Sequence, residues 1–86
     1  MPLIAHHMPA DQKQTWYFTF GYGHENANGE RLGDRYFVVK DATFHEARKT
    51  IMDLRGTAWG FQYDDASFSG QPEQFGLKEA TAEEIR

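Results

Sequence analysis

No cysteine occurs anywhere in the 86 residues. That removes disulfide frameworks, thiolate nucleophiles and cysteine-held zinc, and it suits a reducing compartment. Stability must then come from packing, alone or together with self-association. No apolar run approaches the roughly 20 residues of a membrane span, and Met1 to Ala10 lacks the basic start and apolar centre of a secretory signal, so a cytoplasmic location and no membrane partner are expected. Positive charge is also scarce: Lys and Arg number 9 against 13 Asp and Glu, leaving a net charge of −4 and a pI near 5.4. Non-specific nucleic-acid binding, in which Lys and Arg displace phosphate counterions, is therefore not expected.

What the chain has instead is rings. Aromatic residues make up 15% of it, and they concentrate in Trp16-Tyr17-Phe18-Thr19-Phe20-Gly21-Tyr22-Gly23-His24, an aromatic strand running into a glycine loop that ends on a histidine. Period-two alternation puts Trp16, Phe18, Phe20 and Tyr22 on one face and Tyr17, Thr19 and Gly21 on the other.

The length allows one domain with a modest core. Residues 1–13, with two prolines and the His6-His7 pair, read as a flexible arm, and 14–86 as a single small domain. A first strand is expected over Thr15 to Tyr22, then a long hairpin loop from Gly23 to Asp34 rich in Gly and Asn. A second strand, Arg35 to Lys40, is apolar on both faces and so belongs inside a sheet.

Thr43 followed by Glu46 forms a capping box, Phe44, Ala47, Ile51 and Leu54 give one apolar helical stripe, and Gly56 supplies the stop. A third strand over Ala58 to Tyr63 would put Trp59, Phe61 and Tyr63 on one face. Turn chemistry fills Asp64 to Gln74. A short edge strand at Phe75 to Lys78 and a frayed terminal helix capped by Thr81 and Glu84 complete the pattern. The expected fold class is α+β: a small antiparallel sheet of three to four strands in β-β-α-β order, with one amphipathic helix packed on one face. One short helix cannot cover every ring, so some aromatic surface is expected to be left for a ligand, a partner or a second copy of the chain in a homo-oligomer.

The chemistry-bearing residues form no catalytic or metal pattern. The histidines His6, His7, His24 and His45 lack ligand spacing, Asp64-Asp65 reads as turn residues before it reads as a cation site, and no serine has a recognisable base. The glycine loop runs from strand to strand rather than into a helix, so it is not a nucleotide P-loop. The middle of the chain is basic, at Arg31, Arg35, Lys40, Arg48, Lys49 and Arg55, and the end is acidic, at Glu73, Glu79, Glu83 and Glu84. Rings with an arginine at hand suit a nucleobase whose phosphate the guanidinium holds.

Phe18-Thr19-Phe20-Gly21-Tyr22-Gly23-His24, Tyr36-Phe37-Val38-Val39, Glu46-Ala47-Arg48, Trp59-Gly60-Phe61-Gln62-Tyr63 and Gly76-Leu77-Lys78-Glu79 together resemble a group of small bacteriophage and prophage proteins of unknown function. The resemblance covers about Trp16 to Glu79. It implies a phage accessory protein working in the host cytoplasm, where such proteins often act on host defence pathways.

These readings converge on a non-enzymatic binding protein without cofactor. Its ligand is expected to be small and anionic, plausibly a nucleotide, held by Tyr22, Gly23, His24, Arg35 and Trp59. The alternative partner is a host defence protein, occluded through an acidic and aromatic surface in the manner of an anti-CRISPR inhibitor. A small enzyme using His24 is the third reading.

Overall fold

A computed structural model describes residues 12–86. The His6-His7 pair and most of the expected arm lie outside the described residues, but Lys13 at its end places Nζ 3.2 Å from Glu46 Oε1. The α+β class and the β-β-α-β opening hold. β1 (Gln14–Thr19), β2 (Arg35–Ala42), α1 (Phe44–Arg55) and β3 (Phe61–Tyr63) are followed by α2 (Asp65–Phe68), α3 (Gln71–Phe75), β4 (Lys78–Glu79) and α4 (Ala82–Ile85).

The sheet has four strands in the order β3-β1-β2-β4. β1 runs antiparallel to both β2 and β3, while β4 lies parallel to β2. The sheet is thus mixed, where an antiparallel one was expected. The parallel pairing follows from the path between β3 and β4, since α2 and α3 carry the chain across the sheet before it returns along β2.

Directly opposed residues share a face, and the registers Trp16↔Val39, Phe18↔Phe37 and Phe18↔Gln62 define the first one. α1 packs there through buried Ala47 and Ile51, with Phe44 and Leu54 against the core. The expected capping box is present: Thr43 Oγ1 accepts from Glu46 N at 3.1 Å, and Glu46 Oε1 accepts from Thr43 N at 2.9 Å. These contacts answer orphan backbone donors of the first turn and of the cap itself, and they hold the Glu46 carboxyl below its ordinary range, Thr43's amide being the main cause and Lys13 the next. Trp16, Phe18, Phe20, Leu32, Ala42, Ala80 and Ile85 complete this core. Trp16 Nε1, the polar atom that goes in with its ring, donates to Ala42 O at 2.9 Å.

The second face follows from Tyr17↔Val38, Tyr17↔Tyr63, Thr19↔Tyr36 and Thr19↔Phe61. α2 covers part of it. The buried Phe68 ring stacks on Tyr17 at 4.5 Å and meets Tyr36 at 5.0 Å and Tyr63 at 5.8 Å. α2 and α3 replace the turn expected over Asp64 to Gln74. Asp64 does serve as a turn residue, but as an N-cap, its carboxylate accepting from Ser67 N at 2.8 Å, and Pro72 sits in the first turn of α3.

Further expectations need correction. β1 stops at Thr19 rather than Tyr22, because Gly21 (φ 62) turns the chain out of the ladder. Tyr22 therefore leaves the face of Trp16, Phe18 and Phe20 and stands 97% exposed. Trp59 does not share a face with Phe61 and Tyr63: it meets Phe18 edge-on at 5.3 Å on the α1 side. The chain kinks between them, with Trp59 N donating to Thr57 O and Gly60 N to Thr19 O at 2.7 Å, which resets the alternation before β3 begins. A Cβ at Gly60 would lie 3.1 Å from that Thr19 oxygen, so only a residue without one fits unstrained. α4 is anchored rather than frayed, since its Thr81–Glu84 capping box is closed and Ile85 is fully buried.

Candidate functional site

The loop end of the β1–β2 hairpin gathers the chemistry. Gly21 and Gly23 both take left-handed backbone, φ 62 and 91, and between them they present the Tyr22 ring away from the body of the protein. The loop that follows is fixed to the rest of the fold. Asn26 Oδ1 accepts from Asn28 N at 3.0 Å and from Glu30 N at 2.9 Å, closing the tip, and the backbones of Glu25 and Arg31 form an isolated antiparallel bridge. Leu32 N donates to His24 O at 3.0 Å, and the Leu32 side chain is buried in the α1 core.

The chain end clamps the other side of the loop. Ala27 N donates to Arg86 O at 2.6 Å, and Asn26 Nδ2 to Glu84 O at 2.9 Å. Arg55, one residue before the α1 stop, ties three segments together. Its Nε donates to Ala58 O at 2.7 Å, its Nη2 to Glu25 O at 3.0 Å and its Nη1 to Ile85 O, while the guanidinium lies 5.4 Å over the Phe20 ring. Burial lowers the Arg55 pKa from its usual value. A long surface loop in a small domain is normally mobile; here it is a braced wall.

Against that wall lies a cavity of about 390 Å³, lined by Gly21, Tyr22, Gly23, His24, Arg31, Gly33, Asp34 and Phe75. A second depression of about 370 Å³ shares Gly21, Tyr22, Gly33 and Phe75 with it and continues over Thr19, Phe61, Tyr63, Gln71 and Leu77. The two adjoin at these shared residues, and we treat them as one groove with unlike ends. The loop end carries an imidazole, a guanidinium and a carboxylate, and the sheet end is mostly apolar, with the Phe61 and Tyr63 rings 6.1 Å apart. Phe61 is 67% exposed and Phe75 61%. Arg31 has no ion pair among the described residues, whereas Asp34 sits 3.6 Å from Arg35.

Of the residues expected at a site, the structure brings Tyr22, Gly23 and His24 together. Arg35 does not join them. It reaches Glu84 at 4.0 Å as well as Asp34, and it lines an adjoining cavity of about 70 Å³ with Asn26, Glu30, Leu32, Glu84 and Arg31, the last of which lines both cavities. Trp59 is on the far side of the sheet, its Nε1 donating to Gly56 O at 3.1 Å and its ring under Arg48 at 5.2 Å. In the basic middle of the chain, Arg35 meets Glu84, Lys49 meets Asp53 at 3.0 Å, and Arg48 is held by Gln62 and the Phe44 ring. Asp65 is the acceptor of the Tyr17 hydroxyl at 2.5 Å. That bond, with burial second, pushes the phenol up to about 12. Among the described residues no cluster of His, Asp or Glu could hold a metal, and no helix is long and apolar enough to cross a membrane. Arg31 and Phe75 are the groove residues that the expected site omitted. Arg31 could have been found by reflecting the hairpin about its loop, which sets Arg31-Leu32-Gly33-Asp34 opposite Gly21 to His24.

No family model matches this sequence, and no curated protein or solved structure matches it.

Proposed function

We propose that this protein acts by non-catalytic binding, and that its ligand is a small anion carrying a flat ring, of the nucleotide class. The observation that carries the reading is the cavity that puts the Tyr22 and Phe75 rings beside His24 and Arg31. Rings that keep an exposed face can stack on a base, a guanidinium with no ion pair among the described residues can answer a phosphate, and glycine backbone lets the ligand approach closely. A cavity of this size, with rings beside a few convergent polar groups, is in the range that holds such ligands. Sequestering a nucleotide used by a host defence pathway is the setting that the resemblance to small phage proteins adds.

The exposure of Tyr22, Phe61 and Phe75 favours a second reading, in which the same rings are anchors for a protein surface, a second copy of this chain included. Calorimetric titration with nucleoside monophosphates separates the two. The first reading expects saturable binding, weakened roughly tenfold by Arg31→Ala or Tyr22→Ala through loss of one charged or stacking contact, at an unchanged melting temperature. Absence of binding to every mononucleotide and to larger nucleotides, together with a concentration-dependent mass in sedimentation, would replace it with the second.

A further inference from the structure

We infer that the groove is built for a ligand with two rings joined through a single negative charge, as in two nucleosides linked by one phosphodiester, rather than for a mononucleotide or a polyphosphate. The inference rests on the reading of the groove as a site for an anionic aromatic ligand, and it adds the number of rings and charges.

The ring count comes from the shape. The loop end and the sheet end are each of ligand size, about 390 and 370 Å³, and they meet at Tyr22 and Phe75, which line both. A single nucleotide with its phosphate at Arg31 fills the first and leaves the second empty. The second has its own aromatic floor, Phe61 and Tyr63, tilted 45° to one another, and Leu77 beside them. Exposed rings on a sheet face are stacking surfaces that any base can use. A ligand continued past Tyr22 reaches this floor, and a mononucleotide does not.

The charge count comes from the polar end. Its guanidinium is that of Arg31, its imidazole that of His24, and Asp34 lines the same end with a carboxylate of opposite effect. Arg35, which would have doubled the positive charge, is turned to Asp34 and Glu84 in the adjoining cavity. The chain as a whole carries −4. Several phosphates would meet one guanidinium without an ion pair among the described residues, a nearby carboxylate and a repelling overall field. One phosphodiester charge is matched.

The test is calorimetric titration of the full chain with each nucleoside monophosphate, the matching dinucleoside monophosphates ApA, CpC, GpG and UpU, and ATP. At least one dinucleoside monophosphate is expected to bind about tenfold more tightly than its mononucleotide, the gain from stacking one further base. Phe61→Ala is expected to erase that gain and leave the mononucleotide's affinity unchanged. Leu77→Ala, at the same end, serves as the second variant and should act in the same direction. Equal or tighter binding of the mononucleotide, tightest binding of ATP, or an equal loss for both ligands in Phe61→Ala overturns the two-ring inference while the groove remains a nucleotide site. No saturable binding by any of these ligands overturns the site itself.

Discussion

The two faces of one sheet are built from alternate residues of the same strands, yet they do different work. On the α1 face, Trp16, Phe18 and Phe20 are at most 9% exposed and are closed over by Ala47 and Ile51. On the other face, Phe68 plugs the space between the neighbours Tyr17, Tyr36 and Tyr63, the Tyr17 hydroxyl donates to Asp65, and the covering stops short of Phe61 and the groove. The α1 face can be sealed because its rings are mostly carbon and the polar atom that goes in with Trp16 is answered by Ala42 O. A hydroxylated face is half sealed by short helices, and what they leave uncovered is the candidate site.

The sharpest way to break this contrast is truncation on each face. Phe18→Ala should cost about 3–5 kcal/mol, the usual range for a fully buried phenylalanine, whereas Phe61→Ala should stay within about 0.5 kcal/mol as an exposed position does. Urea unfolding of the two variants measures both, and equal costs would mean that the faces are not divided as described. Phe68→Ala tests the plug. It is 4% exposed among three tyrosines, so a loss on the order of 3 kcal/mol is expected, with altered near-ultraviolet circular dichroism from the tyrosines.

Arg55→Gln couples the faces, because Arg55 braces the groove's wall from the end of the α1 layer. A loss of about 2 kcal/mol is expected, since a charged donor to the half-buried carbonyl contacts at Ala58 and Ile85 is replaced. Amide exchange at Asn26, Ala27 and Leu32 should speed up with it, while exchange in β1 changes only as far as global stability does.

How much of this was legible beforehand divides along the same line. The α1 face was readable: the Thr43–Glu46 box, the Phe44-Ala47-Ile51-Leu54 stripe and the Gly56 stop are local signals, and they lie where their spacing puts them. The other face was not, because its covering depends on long-range packing. Asp64 and Pro72 are sound helix-start signals, but helices as short as α2 and α3 carry too few residues to show a period, and only Phe68 docking on Tyr17 makes α2 worth forming. Trp59 was misplaced because a kink at Gly60 erases the phase that alternation relies on. At the site, Tyr22, Gly23 and His24 came from local glycine chemistry, while Arg31 and Phe75 required knowing how the hairpin and α3 close.

The two layers should also fail at opposite ends of the pH scale. Glu46 and Glu84 sit below the ordinary carboxyl value because the backbone amides of Thr43 and Thr81 donate to them. The native state then binds fewer protons than the unfolded chain, so this stabilisation is complete above about pH 4.3 and is lost as pH falls through the lowered values. Tyr17 is the reverse case. With its phenol raised to about 12 by the bond to Asp65, the native state keeps a proton that the unfolded chain releases near 10, and its contribution fades as pH rises across that window. Melting temperature against pH, in wild type and in Thr43→Ala and Tyr17→Phe, reads both. Thr43→Ala should cost about 1 kcal/mol at neutral pH and flatten the acid limb, and Tyr17→Phe should flatten the alkaline limb alone.

The central claim is that the sheet's half-covered side binds and its sealed side does not. Backbone amide chemical-shift mapping during titration with a nucleoside monophosphate and a dinucleoside monophosphate tests this most directly. Saturable shifts are predicted at Gly21, Tyr22, Gly23, His24, Arg31 and Gly33, reaching Phe61 and Leu77 only with the two-ring ligand, and none along α1. Shifts centred on Arg48 and Trp59, or no saturable shift with either ligand, would contradict it.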